Sequence, residues 1–153
     1  MKHLLVVFHS QTGKTARMAT EVLRGAHHED VAGVEVRALR SSQCAVPDLL
    51  WADGMVLGTP ENFGYMSGAM KDLFDRIFYP LETRLEGMPY AVFVGAGNDG
   101  TGALASVRRI ATGLALKEAR EPVICVGSLE ARHKQACQQL GMAMAAGLAL
   151  GIF

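Results

Sequence analysis

Five apolar segments of strand length punctuate this chain, and each is followed by a stretch with helical spacing. The strand segments are His3–Phe8, Val34–Leu39, Gly54–Gly58, Tyr90–Gly95 and Pro122–Gly127. Four are nearly continuous apolar runs, as parallel strands covered on both faces require. The second, Val34-Glu35-Val36-Arg37-Ala38, alternates and predicts an edge strand with one wetter face. Ala16, Ala19, Val22, Leu23 and Ala26 form one helical stripe, and Leu104, Val107, Ile110, Ala111 and Leu114 form another. Ala136, Leu140, Ala143, Met144 and Gly147 make the last stripe, and a short helix near Pro47–Ala52 closes the second connection. The clearest stripe is Met70, Leu73, Phe74, Ile77 and Phe78, with Lys71 and Asp75 paired at i,i+4 on its other face. Right-handed crossovers turn such a repeat into one α/β domain over residues 1–153. Its sheet is parallel and five-stranded, of order 2-1-3-4-5, with helices on both faces. Ligands of such sheets bind where the carboxyl ends of strands 1 and 3 diverge.

Composition narrows the function classes. Lys plus Arg equals Asp plus Glu at 15 each, which argues against nucleic acid or an acidic membrane surface as the main partner. The five histidines show no metal-ligand spacing, so no metal site is expected. Three cysteines without a C-x-x-C fit reduced thiols and a cytoplasmic location, with Cys125 in the core. Met1-Lys2-His3 leads straight into a strand, so no signal peptide is expected. The apolar stretch Leu140–Phe153 is too short to insert in a membrane.

Three loops gather at the carboxyl edge. Ser10-Gln11-Thr12-Gly13-Lys14-Thr15 joins the first strand to the first helix, so backbone N–H groups and a helix dipole converge there on a phosphate-sized point. As an ordinary turn, the same loop predicts Thr12 as the N-cap. Gly13-Lys14-Thr15 ends like a nucleotide triphosphatase loop. The first glycine of that pattern would fall at Phe8, however, and no strand ends in an acidic Mg²⁺ ligand. A phospho-receiver lacks its acidic pair, because His9-Ser10 and Gly58-Thr59 stand at those positions. A serine hydrolase elbow is excluded because Ser67 lies one place too late after Gly64. The loops Gly58–Gly68 and Gly95–Gly102 are rich in Gly and Asn and can offer backbone groups to a flat heterocycle, with Phe63 and Tyr65 as an apolar wall.

Three segments carry a family resemblance. Ser10–Thr15 matches the T/S-x-T-G-x-T phosphate loop of FMN proteins, and Gly58–Arg76 is similar to G-[ST]-P-x-x-x-G-x-[MP]-[SA]-x-x-[ML]-K-x-[FL]-[FIL]-D-R. Gly95-Ala96-Gly97-Asn98-Asp99-Gly100 stands where a third flavin loop belongs. Across its whole length the chain resembles the flavodoxin-like superfamily, in its branch of NAD(P)H-dependent FMN reductases and quinone reductases.

The resemblance implies a three-layer flavodoxin-like sandwich and an FMN phosphate held by Ser10, Gln11, Thr12, Gly13, Lys14 and Thr15. Pro60, Glu61, Asn62, Phe63 and Gly64 would line the ribityl chain and one side of the ring. Gly95, Gly97, Asn98 and Asp99 would border its other edge, with Asp99 unfavourable beside a reduced flavin unless it points away. It further implies NADH or NADPH as co-substrate, a small-molecule electron acceptor, no named catalytic side chain beyond the candidates Tyr65 and Asn98, and a homodimer or homotetramer. Phe78, Tyr79 and Pro80 are the expected contact surface. The third loop has no aromatic and the chain is neutral, which favours an enzyme over an electron carrier docking on a protein. No insertion is expected to split the last strand.

Overall fold

The computed structural model describes residues 1–153. In chain order the elements are β1 (Lys2–Phe8), α1 (Lys14–Ala26), β2 (Val34–Arg40), α2 (Val46–Trp51), β3 (Gly54–Asn62), β4 (Tyr65–Met66) and α3 (Gly68–Leu81). There follow β5 (Pro89–Ala96), α4 (Thr101–Gly113), β6 (Lys117–Glu118), β7 (Val123–Val126) and α5 (Ala131–Leu150). The sheet runs β2-β1-β3-β5, with β6 and β7 both pairing the far side of β5. Every pair is parallel except β3 with β4. This is the expected 2-1-3-4-5 order, and the alternating strand β2 stands at the edge.

Three details differ from the sequence reading. The fifth position is broken: β6 pairs Pro89 and Tyr90, with Ala119 N donating to the Tyr90 carbonyl at 2.9 Å, β7 pairs Phe93 to Ala96, and residues 120–122 pass between them without pairing. Strand β3 runs on to Asn62, through a stretch expected as loop. Beyond Gly58 the neighbouring β1 has ended, leaving one side open, which is where a strand tolerates Pro60. The chain then reverses through Phe63 and Gly64, at φ 54° and 67°, into the two-residue strand β4. Two successive positive φ values make the tight hairpin turn whose twist suits antiparallel strands.

Side-chain alternation along the strands divides the core in two. Leu5, Val7, Met55, Leu57, Val92 and Val94 face α2, α3 and α4. Leu4, Val6, Val56, Ala91 and Phe93 face α1 and α5. On that second face α1 and α5 touch backbone to backbone. A Cβ at Gly25 would overlap the Gln138 carbonyl, and one at Gly141 would overlap the Val22 carbonyl. Glu21, buried on α1, accepts from Gln138 Nε2 at 3.2 Å across the same contact. At the amino edge of the sheet the Trp51 ring stacks on His3 with centroids 4.3 Å apart, and the Arg37 guanidinium lies 3.9 Å from the Trp51 ring centre.

The glycine contact fixes how closely α1 can lie against α5, and through that the position of the α1 start. Gly141→Ala is expected to lower stability by about 1–3 kcal/mol, because overpacking a closed contact forces the helices apart. Urea unfolding checks this: the midpoint falls while the slope stays the same.

Candidate functional site

The carboxyl ends of β1, β3, β5 and β7 open into a cleft of about 370 Å³. Gln11, Thr12, Lys14 and Thr15 line it from the α1 side, and Pro60, Glu61 and Asn62 from the end of β3. Gly95, Ala96 and Gly97 line it from the end of β5, and Gly127 from the turn after β7. A larger groove of about 710 Å³ lies at the β6–β7 edge. In it Arg108 and Glu118 pair with each other, with both N–O distances 2.7 Å.

The α1 start leaves its backbone donors open. Gly13, not Thr12, is the N-cap: it takes φ 104°, a left-handed conformation natural to glycine, and its N–H donates to Ser10 Oγ at 3.2 Å. The turn therefore closes one residue later than expected, and the Thr12 side chain is left lining the cleft. The N–H groups of Lys14, Thr15 and Ala16 have no acceptor within the chain, and no acidic residue stands in the first turn. Thr15 is buried, with its Oγ1 3.0 Å from where a Cβ at Gly95 would be. Any side chain at Gly95 would crowd this first turn.

Several residues expected as ligands are tied to other loops. Asn62 Nδ2 donates to Gln11 Oε1 at 2.9 Å, joining the β3 end to the first loop. Both Glu61 carboxylate oxygens accept from the start of α4, from Gly100 N and Ala103 N, at 3.2 Å each. The Lys14 ammonium donates to the Ala96 and Gly127 carbonyls at 2.8 and 2.6 Å. Asp99 turns away from the cleft: Thr101 N–H and Oγ1 donate to its Oδ1, and these bonds hold its carboxyl below the usual carboxylate range.

Six expected residues lie outside the cleft lining: Ser10, Gly13, Phe63, Gly64, Asn98 and Asp99. Ser10 and Gly13 shape the turn from behind. Phe63 stands fully exposed at the hairpin tip, and Gly64 packs against α4, where a Cβ at Gly102 would overlap the Gly64 carbonyl. Tyr65 is exposed beside the start of α3, and Asn98 is exposed on the third loop. Two lining residues, Ala96 and Gly127, escaped the sequence reading. A glycine directly after the apolar run Val123–Val126 was the available signal for the second, since it ends a strand at the same edge.

Burial holds several titratable groups of the chain uncharged. Burial, with the Arg40 charge adding to it, keeps His9 below the ordinary imidazole range, and its Nδ1 is buried without a partner. Burial pushes the Cys44 and Cys137 thiols up to about 12 and raises Cys125, so none of these buried thiols is an activated nucleophile. No cluster of metal-ligating side chains is present.

The chain is similar to known proteins. A family model described as NADPH-dependent FMN reductase matches residues 43–129. A flavodoxin from Aquifex aeolicus is 35% identical over 102 residues, covering 67% of this chain and 54% of the relative. An NAD(P)H dehydrogenase (quinone) from Archaeoglobus fulgidus is 34% identical over 118 residues, covering 61% of each protein. The chain thus spans little more than half the length of these relatives. In fold, it matches the crystal structure of a flavodoxin, WrbA-like protein from Agrobacterium tumefaciens. That match has a TM-score of 0.80 at 18% identity and covers 99% of both chains.

Glu61 is the side chain on which the second and third loops both depend. Glu61→Ala is expected to cost about 1 kcal/mol, the value of a helix N-terminal cap. Amide exchange at Gly100 and Ala103 checks the cause, since both N–H groups should exchange faster in the variant while those in the middle of α4 do not.

Proposed function

The chain belongs to the NADPH-dependent FMN reductase family, and from that premise we propose that it binds FMN non-covalently in the cleft and works as an NAD(P)H-dependent oxidoreductase. The observation that carries this reading is the α1 start, where three unpaired N–H groups face a cleft lined by Thr12 and Thr15. The geometry fits a phosphate there: Gly13 removes the steric obstacle, and no carboxylate competes. The glycine-lined wall at Gly95 and Gly97 leaves room for a flat ring, and Pro60 and Asn62 face it from β3.

Bound FMN supplies two-electron transfer from a reduced nicotinamide to a quinone, free flavin or similar small acceptor. The protein's part is to bind, orient and shield. The α1 start and the two threonines hold the phosphate end. The clamped loops after β3 and β5 set the ring pocket, and Asp99 and Glu61 are kept from placing an unpaired negative charge in it. The absence of an aromatic from the third loop leaves that side of the pocket open to a substrate, which supports an enzyme over a carrier. The three unpaired cysteines support a cytoplasmic location.

Absorption titrations with FMN and riboflavin test the pocket. The doubly substituted Thr12→Ala, Thr15→Ala protein is expected to bind FMN about tenfold or more weakly, with riboflavin affinity unchanged, because only FMN has the phosphate. A folded protein that takes up no flavin sinks the reading. Anaerobic mixing with NADH and with NADPH then tests the activity: bleaching of the flavin band followed by turnover with a quinone is expected. No bleaching by either nucleotide would favour a carrier that docks on a protein.

The same reading includes a homodimer or homotetramer. Tyr79 is 82% exposed at the end of α3, Pro80 is exposed beside it, and Phe78 is half-buried with its ring edge-on to Tyr79. Together they give an apolar contact surface. Light scattering at micromolar concentration should return a multiple of the chain mass, and a monomer would remove this part.

A further inference from the structure

Lys14 stands inside the phosphate loop, yet its charged end is elsewhere. Its side chain crosses the floor of the cleft, with Cε 3.1 Å from where a Cβ at Gly95 would be. Its ammonium donates to the last carbonyl of β5, Ala96, and to Gly127 after β7. The Ala96 carbonyl also accepts the Gly127 N–H at 3.0 Å, so one cation closes a small ring of hydrogen bonds joining two strand ends. No carboxylate lies within ion-pair distance of Lys14. Two of the three ammonium donors are thus committed to the ends of β5 and β7.

From this geometry we propose that Lys14 is a positioning residue for the loop after β5, and that it acts on the ring pocket and not on the phosphate. The inference rests on the flavin reading for its ligand, but the strut itself exists in the flavin-free chain. Hydrogen bonds from a charged donor are about twice as strong as neutral ones, so the strut is a substantial part of what fixes Gly97 to Gly100 relative to α1. Because the carbonyls carry no formal charge, the Lys14 charge is not paired off. The phosphate end is served by backbone N–H groups, that of Lys14 included, and by hydroxyls that the Lys14 ammonium does not contact.

The test separates the two roles with Lys14→Met, which keeps the stem and removes the charge. A positioning role predicts about tenfold weaker binding of both FMN and riboflavin, with the ratio of their affinities unchanged. It also predicts faster amide exchange at Gly127 and over 97–100 in the flavin-free protein. Loss of FMN affinity with riboflavin unaffected, or unchanged amide exchange in the flavin-free variant, overturns the proposal. If the chain binds no flavin at all, the exchange measurement still decides the strut while the flavin reading fails on its own. Should Lys14→Met fail to fold, Lys14→Gln replaces it. An amide can reach at most part of the ring, so exchange at Gly127 should still rise, and exchange equal to that of the unsubstituted protein overturns the proposal.

Discussion

Parallel pairing is the constraint from which the rest of this molecule follows. Strands that run the same way end at the same edge, so β1, β3, β5 and β7 deliver four turns to one line. The return path for each strand must cross a face of the sheet, which puts helices on both sides and buries both faces. The site is therefore a by-product of connectivity: a row of strand ends, each followed by a turn whose backbone groups are not needed by the ladder.

Of the helix starts at that edge, two are treated in opposite ways. The start of α1 is open, with free N–H groups and no acid nearby. The start of α4 is closed, because Glu61 accepts from Gly100 and Ala103 while Asp99 accepts from Thr101. The same dipole physics thus leaves one terminus open to an external anion and uses the other to absorb the two nearby acids. Lys14 completes the pattern by bringing a positive charge to carbonyls instead of to a carboxylate, so that charge is not cancelled.

What the sequence displays and what it hides divide along physical lines. The main strands were legible because a doubly buried strand must be apolar throughout, and β2 because an edge strand need not be. Strand β6, Lys117 and Glu118, was not legible: two charged residues carry no strand signal, and they pair only because Pro89 and Tyr90 lie beside them. Strand β4 was hidden because a phenylalanine at positive φ opens its hairpin, against local preference. The place of the cleft was legible from glycines and hydroxyls at strand ends. The jobs of Glu61, Asn62 and Lys14 were not, since each depends on a partner far along the chain that no local pattern announces. The N-cap shifted from Thr12 to Gly13 for a related reason, since backbone freedom at glycine outweighed the side-chain preference at threonine.

The stack of His3, Trp51 and Arg37 has a spectroscopic consequence. Trp51 is the one tryptophan of the chain, and it sits at the amino edge, against the first residues of β1. The seven residues of β1 place it about 20 Å from the carboxyl edge. Its indole stacks on an imidazole and lies against a guanidinium, so its emission reports whether those two edge residues remain in contact with it. Fluorescence from this protein is thus a local signal for the opening of the β1–β2 end of the sheet, set by contacts that the strand ends on the other side do not share.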